Sequence, residues 1–213
     1  MKDVTDITVL LDKSGSMNSI IDDVIGGFNQ FVDDQARAGG NAALTLVSFN
    51  SEKTERVLDA VGIATAQKLS RDNYKPAHST PLLDALGQTV VKTGERLGAM
   101  SESDRPDKVV FVVITDGQEN ASKEYSKKTV QEMIQRQSKD YNWQFVYLGA
   151  NQDAFAEAKD LGMDTKLAAN FAPNAVGARA SFSTTSENLV AYRGTGDSSK
   201  LAYTAKQRSA LSK

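Results

Sequence analysis

Val9-Leu10-Leu11-Asp12-Lys13-Ser14-Gly15-Ser16-Met17 is the stretch on which the reading of this chain turns. An apolar run stops at an acid, and two hydroxyl residues follow with a glycine between them. The apolar part reads as a buried strand, and Ser16 suits the N-cap of the helical pattern that comes next. That spacing puts Asp12, Ser14 and Ser16 on one tight turn at the carboxyl end of the strand. In an open α/β sheet, ligands bind at that edge. Carboxylate and hydroxyl oxygens are hard ligands, suited to Mg²⁺ or Mn²⁺ rather than zinc or copper. A capped strand-to-helix turn without any chemistry uses the same residue types, so the rest of the chain has to decide.

Working outward, Ile7 to Leu11 form the first strand. Ile20, Ile21, Val24, Phe28, Phe31 and Val32 then recur at helical spacing to about Gln35. Gly39-Gly40-Asn41 ends that unit. Leu44, Leu46, Val47 and Phe49 make a second strand, and Asn50–Lys53 turns the chain into Thr54–Leu58. So short a link predicts an antiparallel edge hairpin, because a parallel crossover needs about a dozen residues. Residues 59–75 are polar and weakly patterned. Thr80 stands where an N-cap should, before the amphipathic run from Pro81 to Leu97. Val109–Ile114 is continuously apolar, as in a central parallel strand covered on both faces, and it runs straight into Thr115-Asp116-Gly117-Gln118-Glu119-Asn120. A helix over Thr129–Gln137, a strand over Trp143–Leu148 and a short helix over Asp153–Leu161 follow. A short last strand is expected within Asp164–Phe171, and a helix over Asn174–Tyr192. Strands alternating with helices predict an α/β fold: a doubly wound, mostly parallel sheet with one antiparallel edge strand and helices on both faces.

Three loops at the carboxyl side of that sheet carry oxygen ligands. Asp12-x-Ser14-Gly15-Ser16, Thr80-Pro81-Leu82 and Ile114-Thr115-Asp116-Gly117 together resemble the metal-ion-dependent adhesion site of von Willebrand factor A domains, the family that includes the integrin inserted domains. The resemblance covers about residues 5–165. It implies a von Willebrand factor A-like domain, taken over 1–193, from which the helical segment at about 172–193 departs as a C-terminal addition to the family pattern. It also implies a divalent cation, Mg²⁺ or Mn²⁺, held directly by Ser14, Ser16 and Thr80, with Asp12 and Asp116 acting directly or through water. The cation's remaining position then takes a Glu or Asp carboxylate from a partner protein. The Thr-Pro-Leu form and the lack of a secretion signal look more like intracellular prokaryotic or phage members than extracellular adhesion proteins. Ligand chemistry agrees with docking: neutral hydroxyls and few carboxylates leave the ion a strong Lewis acid toward an incoming acid.

Composition narrows the alternatives. A formal net charge of -2 gives no electrostatic footprint for nucleic acid or an anionic membrane. The chain has no cysteine, which excludes disulfides, zinc-thiolate sites and thiol catalysis. No apolar stretch is long enough to span a bilayer, and Met1–Asp6 lacks the apolar core of a signal peptide, so a cytoplasmic protein is expected. Residues 194–213 are rich in Ser, Gly and Lys and read as a flexible basic tail. Two rival readings stand beside the binding module. One is a metal-dependent phosphohydrolase, disfavoured because Ser14 stands where a haloacid-dehalogenase-like enzyme needs a second Asp and no His or Cys sits in the motifs. The other is a structural or assembly adaptor, to a phage particle or a motor ATPase. A non-enzymatic role is therefore expected. His78, Glu119, Asn120 and Asn151 are rim candidates; an exposed loop position is the better reading of His78, a solvated polar loop explains Glu119 and Asn120 equally well, and Asn151 either borders the rim or ends a strand. Trp143 reads as core or sheet edge. Lys200, Lys206, Arg208 and Lys213 are either a patch for an acidic partner or solvated.

Overall fold

Uninterrupted apolar runs set the centre of the molecule. The computed structural model describes residues 4–213, so the reading of Met1 to Asp3 lies outside the described residues. Its strands are β1 (Val4–Asp12), β2 (Asn41–Phe49), β3 (Thr54–Gly62), β4 (Lys108–Thr115), β5 (Gln144–Gly149) and β6 (Ala168–Asn170). They form one sheet in the order β3-β2-β1-β4-β5-β6. Every neighbouring pair is parallel except β2 and β3, which form the antiparallel edge hairpin. The strand order reverses between β1 and β4, where Leu11 lies opposite Ile114. The loops leaving those two strands therefore diverge to opposite faces and open a crevice at their carboxyl ends.

Helices α1 (Ile21–Arg37), α2 (Leu82–Ala99), α3 (Lys127–Tyr141), α4 (Ala154–Asp160), α5 (Ala175–Thr195) and α6 (Ala205–Leu211) cover both faces. Alternation along β1 divides the core. Val9 and Leu11 pack with Phe28 and Phe31 of α1 and Phe182 and Leu189 of α5. Leu10 packs on the other side with Leu86 and Val90 of α2 and Ile134 of α3. Where α1 meets α5, Gly27 lies against the Phe182 ring with no room for a Cβ. Deeper in the same seam, Arg193 donates to Gln35 O (2.7 Å), Gln35 Oε1 (3.0 Å) and Gly39 O (2.6 Å). Gln35 in turn donates to Ser186 O and Oγ. Trp143 stacks on Phe111 at the amino edge of the sheet.

Two expectations need correcting. Residues 194–213 are not a flexible tail: Ser198–Leu201 forms a 3-10 turn and α6 follows. Leu201, Tyr203 and Leu211 are buried, and a capping box of Thr204 and Gln207 starts α6. Arg208 is spent within the fold, donating to Thr165 O, Lys166 O and Ala168 O and lying over the Phe155 ring. Three well-placed apolar side chains anchor a segment whose average composition is polar. The second correction concerns helix starts. Neither Ser16 nor Thr80 caps a helix with its side chain, since a 3-10 turn (Gly15–Ile20) precedes α1 and Pro81 occupies the N-cap of α2. Both hydroxyls are free for another task.

Candidate metal centre

β1 delivers Asp12 into the crevice and β4 delivers Asp116. Asp12 is fully buried; its Oδ1 accepts from Ser14 N (2.7 Å) and its Oδ2 from Thr115 Oγ1 (2.6 Å). Those two bonds fix the carboxylate and force the turn that brings Ser14 and Ser16 back over the strand end. Ser14 Oγ and Ser16 Oγ are 3.1 Å apart, and Ser16 Oγ donates to Asp116 Oδ1 at 2.5 Å. Thr80 joins them through Gly117: a Cβ on that glycine would stand 3.2 Å from Thr80 Oγ1 and 3.7 Å from Ser16 Oγ. The structure thus gathers Asp12, Ser14, Ser16, Thr80 and Asp116 around one point, three of them from the first loop and one from each of the others.

The segment before Thr80 has no regular structure, and its polar groups bond instead to its own turn, to Asn29 of α1, to the β2–β3 turn and to the first loop. Tyr74 Oη donates to Asp12 O (2.5 Å), Ala77 N to Lys13 O (2.9 Å) and Gly15 N to His78 O (2.9 Å). Asn18 and Asn50 add bonds to Pro76 O and Ala77 O. His78 adopts a left-handed backbone (φ +67°), and its exposed ring lies 3.5 Å from Glu52. Periodicity carries no trace of these contacts, and Tyr74 was not among the candidates read from the sequence. Glu119 is no solvent-facing ligand. It accepts from Leu83 N (2.9 Å) in the first turn of α2, as well as from Ala121 N and Ser122 N, and so supplies the cap that Thr80 does not. Asn151, in the left-handed region, donates to Asp116 O (3.2 Å) and borders the same rim.

Electrostatics decide what this arrangement can accept. Burial raises the Asp12 carboxyl to about 6, against the hydrogen bonds from Thr115 and Ser14 that favour its charged form; the nearby Asp116 charge adds to the rise. Burial raises Asp116 as well, opposed by the Ser16 bond. Among the described residues neither acid has an ion-pair partner: Lys13, next to Asp12 in sequence, turns away to Glu55 at 3.2 Å. Two desolvated carboxylates, three hydroxyl oxygens and no counter-charge make a donor set that fits a hard divalent cation. No cluster of three or more His, Cys, Asp or Glu suited to a metal occurs among the described residues, so the set is hydroxyl-rich and carboxylate-poor.

Gly117 provides a direct check on that geometry. Its backbone is not in the left-handed region, so alanine is conformationally acceptable there, yet the methyl would enter the space between Thr80 and Ser16. Gly117→Ala is expected to weaken Mn²⁺ binding at least tenfold in a calorimetric titration while shifting the unfolding midpoint by only a few degrees. Unchanged Mn²⁺ affinity would show that the ion, if bound, sits elsewhere.

No protein-family model matches the chain, and none of the curated proteins matches it. Solved structures do. Proximal thread matrix protein 1 from the mussel byssus, in a form with a zinc-occupied MIDAS motif, superposes with a TM-score of 0.56 at 16% identity, over 87% of this chain and 44% of that one. Manganese-loaded TRAP protein of Plasmodium vivax gives 0.53 at 18% identity, over 79% and 68%. A von Willebrand factor type A structure from Catenulispora acidiphila gives 0.56 at 14% identity, over 89% and 42%. The chain spans less than half the length of the first and third of these. These superpositions cover most of the chain, and the chain has the fold of the von Willebrand factor A domain.

Proposed function

We propose that this protein is a divalent-cation-dependent protein-binding module, in which Ser14, Ser16 and Thr80 hold Mg²⁺ or Mn²⁺ directly and Asp12 and Asp116 do so directly or through water. The observation that carries the reading is the pair of buried carboxylates, Asp12 and Asp116, converging with three hydroxyls and no basic partner. When bound, the ion supplies a Lewis-acidic position at the open edge of the sheet. The two acids balance its charge, and the hydroxyls add none. A partner carboxylate therefore gains Coulomb attraction in a partly desolvated setting, where a neutral amide or hydroxyl gains little over water. Neighbours of the same fold that are manganese-loaded or carry a zinc-occupied MIDAS motif support the reading that this chain takes a divalent cation. No described helix is long and apolar enough to cross a membrane.

The test is capture of partners from the native host in Mg²⁺ and again in EDTA. A partner should be retained only with the ion. Changing its docking Glu or Asp to the amide should cost about 2–5 kcal/mol, the range for breaking a desolvated charge pair at an interface. A complex that persists in EDTA would remove the site from the contact. Turnover of a simple aryl phosphate that depends on Asp12 would instead favour the phosphohydrolase.

A further inference from the structure

Thr80 reaches the site from a segment without regular structure, so something outside that segment must fix its position. Both polar groups of its backbone are bonded to one residue. Thr80 N donates to Asn120 Oδ1 at 2.9 Å, and Asn120 N donates to Thr80 O at 3.2 Å. Asn120 lies four residues beyond Asp116, on the same turn as Gly117, whose Cα faces Thr80 Oγ1. The turn itself is anchored independently to α2. Glu119 accepts from Leu83 N, Ser122 Oγ accepts from Asp84 N (3.1 Å), and Asp84 accepts from Lys123 N, Glu124 N and Tyr125 N. The loop that carries one acid of the site therefore also grips the hydroxyl residue of another loop, and it does so from a rigid base.

We propose that Asn120 is a positioning residue of the metal centre: its side-chain oxygen and backbone amide lock Thr80 so that Thr80 Oγ1 stays in register with Asp116 and Ser16. This rests on the cation-binding reading for its consequence, although the lock itself does not need the ion. Asn120 bonds to the backbone of Thr80 and to none of the five side chains of the site. Its amide nitrogen makes no bond on which the lock depends, so aspartate, which keeps the accepting oxygen, should substitute for it. Alanine should not.

The experiment uses the full chain and two readouts, hydrogen exchange at the Thr80 amide in the ion-free protein and calorimetric titration with Mn²⁺. In Asn120→Ala, Thr80 exchange should rise at least tenfold and Mn²⁺ affinity should fall about tenfold, with the unfolding midpoint nearly unchanged. Asn120→Asp should restore both. Ser122→Ala, which loosens the same loop without touching Thr80, should leave Thr80 exchange and Mn²⁺ affinity close to wild type. Wild-type exchange at Thr80 in Asn120→Ala overturns the proposal, and so does an equal loss of affinity in Ser122→Ala. Recovery of affinity in Asn120→Asp without recovery of Thr80 protection also overturns it, because added charge rather than position would then be the cause. A wild-type chain that takes up no Mn²⁺ would defeat the binding reading, while the exchange comparison still decides whether Asn120 holds Thr80.

Discussion

Asp12→Asn should make the ion-free protein more stable and at the same time abolish its response to Mg²⁺. Asp12 is fully buried with no basic neighbour paired to it, and its carboxyl is raised to about 6 from an ordinary 3.8. An acid whose folded value lies above its unfolded one binds its proton more tightly in the native state. Folding is therefore progressively opposed as pH rises from near 4 through 6, and the full cost is present above that range. The shift corresponds to about 3 kcal/mol. Asparagine is nearly isosteric, can still accept from Ser14 N, and carries no charge. Urea unfolding in EDTA at pH 8 should accordingly show Asp12→Asn about 1–3 kcal/mol more stable than wild type, and the fall in stability between pH 4 and 7 should be smaller in the variant. Mg²⁺ a thousandfold above its dissociation constant should then stabilise wild type by about 4 kcal/mol and the variant by almost nothing, reversing the order. A variant less stable than wild type in EDTA would show that Asp12 serves the fold rather than an ion.

Arg193→Ala should produce a large loss of stability on the α1–α5 face. Arg193 is buried, and its guanidinium satisfies three acceptors contributed by Gln35 and Gly39. Lys108 Nζ also donates to its carbonyl, tying the end of α5 to the start of β4. Truncation strands those acceptors away from water and leaves a cavity. At about 1–3 kcal/mol for each buried group left without a partner, partly relieved by entering water, the expected cost is about 3–5 kcal/mol. For a chain of this size that lowers the midpoint by roughly 6–20 °C. Arg193→Lys should recover only part of it, because one ammonium cannot span Gln35 and Gly39 with a planar fork. A midpoint within 2 °C of wild type would mean that α5 is held by its apolar face alone.

These two residues differ in how they could be read before folding. Asp12 is legible because it interrupts an apolar run, and β1 and β4 are legible because burial imposes long, regular patterns on sequence; the antiparallel edge is legible instead from the shortness of the Asn50–Lys53 link. The five residues gathered in the crevice were likewise visible, because each follows a strand or precedes a helix at a fixed offset. Arg193 was not, and Asn120 was visible only as a rim residue and not as a partner of the Thr80 backbone, since each acts through hydrogen bonds to residues 158 and 40 positions away that have no periodicity to betray them. Ser16 and Thr80 were read as helix caps because their side chains are chemically suited to capping. The fold instead gives the cap of α2 to Glu119 and leaves both hydroxyls in the crevice. At the C-terminus, Leu201, Tyr203 and Leu211 are too widely spaced to stand out against a polar background, yet each finds a buried place.

The stacking of Trp143 on Phe111 has a practical consequence for optical measurements. Trp143 is the single tryptophan of the sequence, and it sits just before β5, whereas the crevice lies past the far end of that strand. Six residues at about 3.3 Å each put roughly 20 Å between them. Indole emission should therefore report loss of the packed sheet while remaining blind to ion uptake. Tyr74, buried and bonded to the Asp12 carbonyl, is the chromophore placed to sense the ion. Excitation at the red edge of the indole band, where none of the six tyrosines absorbs, would let unfolding be followed through Trp143 alone without interference from ion uptake and without an attached dye.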